Sequence, residues 1–244
     1  MNCTQKFSST VNVFYTCNKI PFSKEQWDNY IQCMPDNFTK RILKFIRWED
    51  RQNSLTGRLL LQYGLSYLNY QDTLPEPFKL LDSIKLTSHG KPFFSLTTQP
   101  EKQPVFKKKQ SALRKTACFN ISHSGSYCIC GIHTSEIGVD IEQIKPVELK
   151  DFYSILTGSE QKFINKSSDP FHGFYTIWTR KEAVIKALGT GFSTDLISFC
   201  AAKNHTVLDG VLWYTYPIII DSAYISHIAL RKQNPKISVH QLFF

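Results

Sequence analysis

Helix-like and strand-like segments come in blocks along this chain instead of taking turns, and that ordering limits its fold more than any other feature. Residues 11–17 read as a strand, and residues 23–34 as a helix capped by Ser23. Over residues 49–68, Leu55, Leu59, Leu60, Tyr63 and Tyr67 recur at three- and four-residue steps, the spacing of one helical face. Asp72, Pro75, Pro77, Gly90 and Pro92 then mark turns. Beyond residue 117 three strand-like segments cluster, 118–122, 127–133 and 138–141. Helical patterns follow over 149–156, 159–165 and 171–188, and strand-like ones over 196–201, 211–220 and 223–230. A doubly wound parallel sheet needs strand and helix in turn, so the pattern predicts an α+β fold. The change of texture near residue 117 predicts two lobes, 1–117 and 118–244, with no tandem repeat to suggest a solenoid.

Composition closes off other classes. With 244 residues, 42% hydrophobic, and 18 Phe, 11 Tyr and 4 Trp, the chain has a proper core to bury and is neither disordered nor fibrous. Its longest uncharged apolar stretch, 210–220, is broken by Tyr and Pro and stops at Asp221, well short of the ~20 residues a membrane span needs. The first residues lack the basic start and apolar core of a secretory signal, so a cytoplasmic protein with no membrane partner is expected. The seven cysteines (3, 17, 33, 118, 128, 130, 200) show no Cys-x-x-Cys and read as reduced, mostly buried thiols. Cys128 and Cys130 share a strand face but lack the second ligand pair of a zinc site.

Net charge is +9, which raises nucleic-acid binding, yet residues 101–115 hold six basic side chains and one acid and so account for +5, leaving +4 elsewhere. That run has the texture of a solvated surface loop. No recognition helix, finger spacing or aromatic RNA motif accompanies it, and no nucleic-acid partner is expected.

Three stretches can carry chemistry. In 137–142, Asp140 and Glu142 project from one face of a strand while Val139 and Ile141 take the other; any half-exposed strand also alternates so. Trp178, Glu182 and Lys186 stack at four-residue steps on a helix ended by Gly189; the plain alternative is a surface ion pair beside a core tryptophan. Ser122 and His123 are neighbours whose side chains diverge on an extended backbone, and no Gly-x-Ser-x-Gly elbow exists, so phosphate contacts suit this stretch at least as well as acyl transfer.

Taken in order, Gly90-Lys91-Pro92, Phe119-Asn120-Ile121-Ser122-His123-Ser124, Gly138-Val139-Asp140-Ile141-Glu142 and Trp178-x-x-Lys181-Glu182-Ala183-x-x-Lys186 resemble the signature series of the Sfp-type 4'-phosphopantetheinyl transferases. Glu49-Asp50 followed by Ser54-Leu55-x-Gly57 fits the same family's early helix, and the resemblance spans roughly residues 41–192. It implies two similar α+β lobes forming a monomeric pseudo-dimer with coenzyme A in the cleft. It implies transfer of the phosphopantetheine arm to a serine of an apo acyl or peptidyl carrier protein, as in holo-acyl-carrier-protein synthases. Phosphoryl transfer of this kind asks for a divalent cation, and Asp140, Glu142 and Glu182 are the implied Mg2+ ligands, with Mn2+ also suited to oxygen donors. Lys91, Ser122 and His123 are the implied contacts to the coenzyme A phosphates, with Arg41 at the 3'-phosphate and Ser54 at another nucleotide position. Lys186 joins that binding set and shares with Glu182 the role of base. Glu160 falls near a position considered for proton transfer, although it more simply caps a helix. Residues 93–118 exceed the family's usual connection, and the basic run about 95–117 is expected to steer acidic carriers. A coenzyme A binder without catalysis is the alternative, against which all three carboxylates and Lys186 speak.

Overall fold

Strand β1 (Thr10–Cys17) is buried from Val11 to Phe14 and again at Thr16, and is paired on both sides. The computed structural model describes residues 10–67, 81, 84–94 and 117–244. Helix α1 (Lys24–Gln32) opens on a capping box, with Ser23 Oγ accepting from the Gln26 amide and Gln26 Oε1 accepting from the Ser23 amide. Helices α2 (Asp36–Ile42) and α3 (Trp48–Leu65) follow, then a hairpin of β2 (Ile84–Leu86) and β3 (Pro92–Phe94). Strands β4 (Cys118–Ser124), β5 (Tyr127–His133) and β6 (Ile137–Gln143) lead to a 3-10 turn (Leu149–Ile155), α4 (Gly158–Lys166) and α5 (Pro170–Leu188). Asp169 caps α5, Pro170 takes its first position, and Gly189 ends it at φ 84°. The chain closes with β7 (His205–Leu208), β8 (Val211–Pro217), β9 (Tyr224–Leu230) and β10 (Lys236–Gln241).

The fold is α+β, with two four-stranded sheets ordered β10-β1-β5-β4 and β6-β9-β8-β7. One long helix backs each sheet: α3 lies on β5 and β1, and α5 lies on β6 and β9. Leu55, Leu59 and Leu60 of α3 meet Phe14, Phe119, Cys128 and Ile132 in one core, while Ala183, Val184 and Ala187 of α5 meet Trp213 and Ala229 in another. The two sheets do not divide at residue 117. Strands β4 and β5 pair with each other and, through β5, with β1, so the sheets part between β5 and β6; β10 then returns to the first sheet, parallel to β1. Residue 117 directly precedes β4, a strand of the first sheet.

Residues 196–201, expected as a strand, form a 3-10 turn at Leu196–Ser198 capped by Asp195. Its carbonyls turn inward to a buried lysine of α5 instead of to a neighbouring strand. Most of the basic run at 95–117 lies outside the described residues. The six described cysteines are free. Among the described residues, no helix is long and apolar enough to cross a membrane.

Candidate functional site

The two sheets meet where edge strand β4 lies along edge strand β6. Side chains, not a backbone ladder, join them. Asn120 Oδ1 accepts from the Val139 amide at 2.9 Å, Ser122 Oγ donates to Asp140 Oδ1 at 3.0 Å, and Ser124 Oγ donates to Glu142 Oε2 at 2.7 Å. Period-two geometry explains why residues 120, 122 and 124 all take part. The opposite face of β4 presents Phe119, Ile121 and His123 to a cavity of about 600 Å3. Ser122 and His123, both implied contacts to the coenzyme A phosphates, lie on opposite sides of the strand, the divergence that an extended backbone dictates.

Helix α5 brings the second half of the site. Lys186 Nζ donates to Asp140 Oδ1 at 2.5 Å and to Ser122 Oγ at 2.9 Å. This close approach depends on Gly138: a Cβ there would overlap the carbonyl oxygen of Ala183 and the amide nitrogen of Ala187, both helix backbone. Asp140 is 2% exposed, and its second carboxylate oxygen, Oδ2, is buried without a partner. Burial raises the Asp140 pKa, which Lys186 and Ser122 only partly offset. Burial also raises Glu142 and Glu182, and the Asp140 charge adds to both shifts. Three mutually repelling carboxylates thus face one lysine. No three His, Cys, Asp or Glu side chains among the described residues are gathered tightly enough to hold a metal as they stand. The orphaned Asp140 Oδ2 and the hard-oxygen donor set nevertheless suit a divalent cation.

The cavity on the far side of β4 is walled by Phe38, Phe45, Leu61, Ile84, Leu86 and Pro92. Its basic side chains are Arg41, Lys44, Arg58 and the imidazole of His123, with no carboxylate among the described lining residues. Two of these, Arg41 and His123, were anticipated, as was Ser54, which also lines it. Lys44 and Arg58 were not. Arg58 lies one helical turn beyond Ser54, the i,i+4 spacing that could have pointed to it. Its Nη1 donates to the Ser54 carbonyl at 2.5 Å and to Ser54 Oγ at 3.1 Å, and its guanidinium stands 4.6 Å over the Phe38 ring. Burial and the nearby Arg41 lower its pKa to about 10. His123 is lowered by desolvation and by Lys186.

Two implied residues sit elsewhere. Lys91 Nζ donates to the Ala187 carbonyl at the end of α5, and the side chain packs beside Gly189, so in this structure it caps a helix instead of lining the cavity. Glu160 is fully buried. Its Oε2 accepts from the Thr157 amide at 2.7 Å and its Oε1 from the Ala201 amide at 2.7 Å, and Lys181 Nζ pairs with it at 2.9 Å. The cap reading of Glu160 is the one its geometry supports. Trp178 packs with Phe152 and Phe174 as core.

Comparison with known proteins fits this division of the chain. The 4'-phosphopantetheinyl transferase superfamily profile matches residues 136–232, and the profile of the 4'-phosphopantetheinyl transferase N-terminal region matches 21–135. Their junction falls in the β5–β6 turn, where the sheets part. The chain is 29% identical over 182 residues to 4'-phosphopantetheinyl transferase Sfp of Bacillus subtilis (strain 168), covering 73% of this chain and 70% of that protein. It is 27% identical over 167 residues to 4'-phosphopantetheinyl transferase gsp of Aneurinibacillus migulanus, covering 67% of this chain and 60% of that one. It is also 38% identical over 90 residues to the L-aminoadipate-semialdehyde dehydrogenase-phosphopantetheinyl transferase of Schizosaccharomyces pombe, covering 31% of this chain and 35% of that protein. Two adjoining profiles of one family, running from residue 21 to residue 232, account for both sheets and both long helices, and the chain belongs to the 4'-phosphopantetheinyl transferase superfamily.

Proposed function

We propose that this protein transfers the 4'-phosphopantetheine arm of coenzyme A to a serine of an apo acyl or peptidyl carrier protein, releasing adenosine 3',5'-bisphosphate. The observation that carries the reading is the pairing, across β4, of the Asp140–Ser122–Lys186 cluster with a cation-lined cavity. Coenzyme A bears a diphosphate and a separate ribose phosphate, so its site needs positive charge in two places. Lys186 offers it on the carboxylate side, and Arg41, Lys44 and Arg58 offer it on the cavity side.

Asp140, Glu142 and Glu182 would hold Mg2+, or Mn2+ equally as an oxygen-seeking ion, and a divalent cation there supplies charge neutralisation for the diphosphate. The chain's own residues do the rest. Ser122 and Lys186 fix the Asp140 carboxylate, leaving Oδ2 open for a ligand. The carrier serine Oγ attacks the phosphorus that bears the pantetheine, and the bond from that phosphorus to the bridging oxygen of the adenosine bisphosphate breaks. Lys186, as placed, donates to two oxygens, which favours Glu182 as the group that takes the serine proton, directly or through water. Its raised pKa suits that task. The narrower assignment as a holo-acyl-carrier-protein synthase, a monomeric state and a cytoplasmic location belong to the same reading.

The test is intact-mass spectrometry of apo carrier proteins of acyl and peptidyl type incubated with the protein, coenzyme A and Mg2+. The expected result is a gain of one phosphopantetheine, abolished by EDTA and by Asp140→Ala. Coenzyme A binding without any such gain would leave a catalytically silent binder.

A further inference from the structure

The loop between α2 and α3 turns its apolar side chains outward. Leu43 is 50% exposed, Phe45 43%, Ile46 92% and Trp48 39%, so four of six consecutive residues are large, apolar and open to solvent. No other six-residue stretch of the described chain does this; the remaining exposed apolar side chains, such as Ile219 at 85% and Val207 at 59%, are spread more thinly. Scattered apolar exposure is ordinary, but a contiguous cluster marks an interaction surface.

The loop is held in shape. The amides of Leu43, Lys44 and Phe45 donate back to carbonyls of α2 residues Thr39, Arg41 and Ile42, and Arg51 Nε donates to the Phe45 carbonyl at 2.7 Å. Its apolar residues are therefore presented by a fixed backbone. Four cations are interleaved with them, Arg41, Lys44, Arg47 and Arg51, against the two acids Glu49 and Asp50. Arg47 already pairs with Glu49 at 3.3 Å. Aromatic and arginine side chains around an apolar centre are the usual composition of a protein-binding hot spot. The surplus of positive charge calls for a partner with carboxylates around an apolar ridge.

Position narrows the partner further. Lys44 and Phe45 belong both to this loop and to the wall of the cavity, so whatever docks on the loop sits at the cavity's rim. We infer that the Leu43–Trp48 loop is a docking surface for the acceptor carrier protein, engaging an acidic face of the carrier through Ile46, Trp48 and Arg47. This rests on the transfer reading above, in which the carrier is the one macromolecule that must approach this rim.

The experiment measures direct binding of apo acyl and apo peptidyl carriers to the wild-type protein and to Ile46→Asp and Arg47→Glu, beside coenzyme A affinity. Ile46 is almost wholly in solvent, so its replacement leaves the fold intact, and the equally exposed Ile219→Asp serves as control. The expected outcome is a carrier Kd about tenfold weaker for Ile46→Asp, with coenzyme A Kd, unfolding temperature and kcat at saturating carrier unchanged. A carrier Kd within twofold of wild type, an equal loss in Ile219→Asp, or no carrier binding by the wild-type protein would each overturn the assignment. Phosphopantetheine gain, read by mass in the same samples, reports separately on the transfer reading: gain with unchanged carrier affinity sinks the surface and spares the reaction.

Discussion

Lys181 follows Arg180 in a segment that otherwise serves the site, yet its ammonium is buried at the opposite side of α5 from the carboxylates. It is 1% exposed and donates to Glu160 Oε1 at 2.9 Å, to the Leu196 carbonyl at 2.5 Å and to the Phe199 carbonyl at 2.7 Å, with the Phe199 ring 4.5 Å away. Replacing it by Met keeps the aliphatic stem but leaves the Glu160 carboxylate without its counter-charge and two buried carbonyls without a donor. Breaking a buried pair by removing one partner costs ~3–5 kcal/mol. In a chain of this size each kcal/mol moves Tm by ~2–4 °C, so Lys181→Met should lower Tm by about 6–20 °C. Adding Glu160→Gln should recover part of that loss, because a neutral amide is cheaper to bury than an unpaired carboxylate. Calorimetry of the two single variants and the double variant measures the coupling. The reasoning fails if Lys181→Met loses less than about 1 kcal/mol, or if the double variant is no more stable than Lys181→Met. Glu160→Gln alone should keep transfer activity per folded molecule; a selective loss of kcat at unchanged stability would return Glu160 to the chemistry.

Gly138→Ala places a methyl group against helix backbone, and should cost ~1–3 kcal/mol while pushing α5 and Lys186 away from Asp140; a variant as stable and as active as wild type would show that the strand has room after all. Arg58→Gln removes a charged donor from the cavity and should weaken coenzyme A binding by about 10- to 100-fold, checked by titration calorimetry, with a change below twofold excluding Arg58 from the ligand's surroundings. His227 is buried, is hydrogen-bonded through Nδ1 with Thr179 Oγ1 at 2.8 Å, and has its pKa lowered by burial to about 3. The unfolded chain takes up a proton at this position below about pH 6.5 while the fold does not. Stability is thus present above that pH and lost as pH falls towards 3, by up to ~1.4 kcal/mol per pH unit. His227→Gln should flatten the slope of unfolding free energy against pH by one proton, and an unchanged slope would mean that His227 charges within the fold.

The parts of the site that depend on period and spacing could be read from the sequence, and the parts that depend on where elements touch could not. Alternation placed Asp140 and Glu142 on one face, and four-residue steps placed Glu182 and Lys186 on one helix face; both hold in the structure. The same alternation separates Ser122 from His123, as their divergence on an extended backbone leads one to expect. The partner of Lys91 in this structure, the Ala187 carbonyl, lies 96 residues away, and no local pattern encodes a helix end brought up by another element. Lys181 and Glu160 illustrate the limit most clearly. Glu160 reads as a helix cap and caps α4, but nothing in a local sequence window reveals that it and Lys181 will be buried against each other. Gly138 has the same character: its role is set by the helix that crosses it, and the only sequence hint is a small residue beside the buried β-branched Ile137, Val139 and Ile141. The lobe boundary follows this rule too. Turn residues mark where elements stop, but only pairing between distant strands decides which sheet β4 and β5 join, and the texture of the chain near residue 117 carried no information about that pairing.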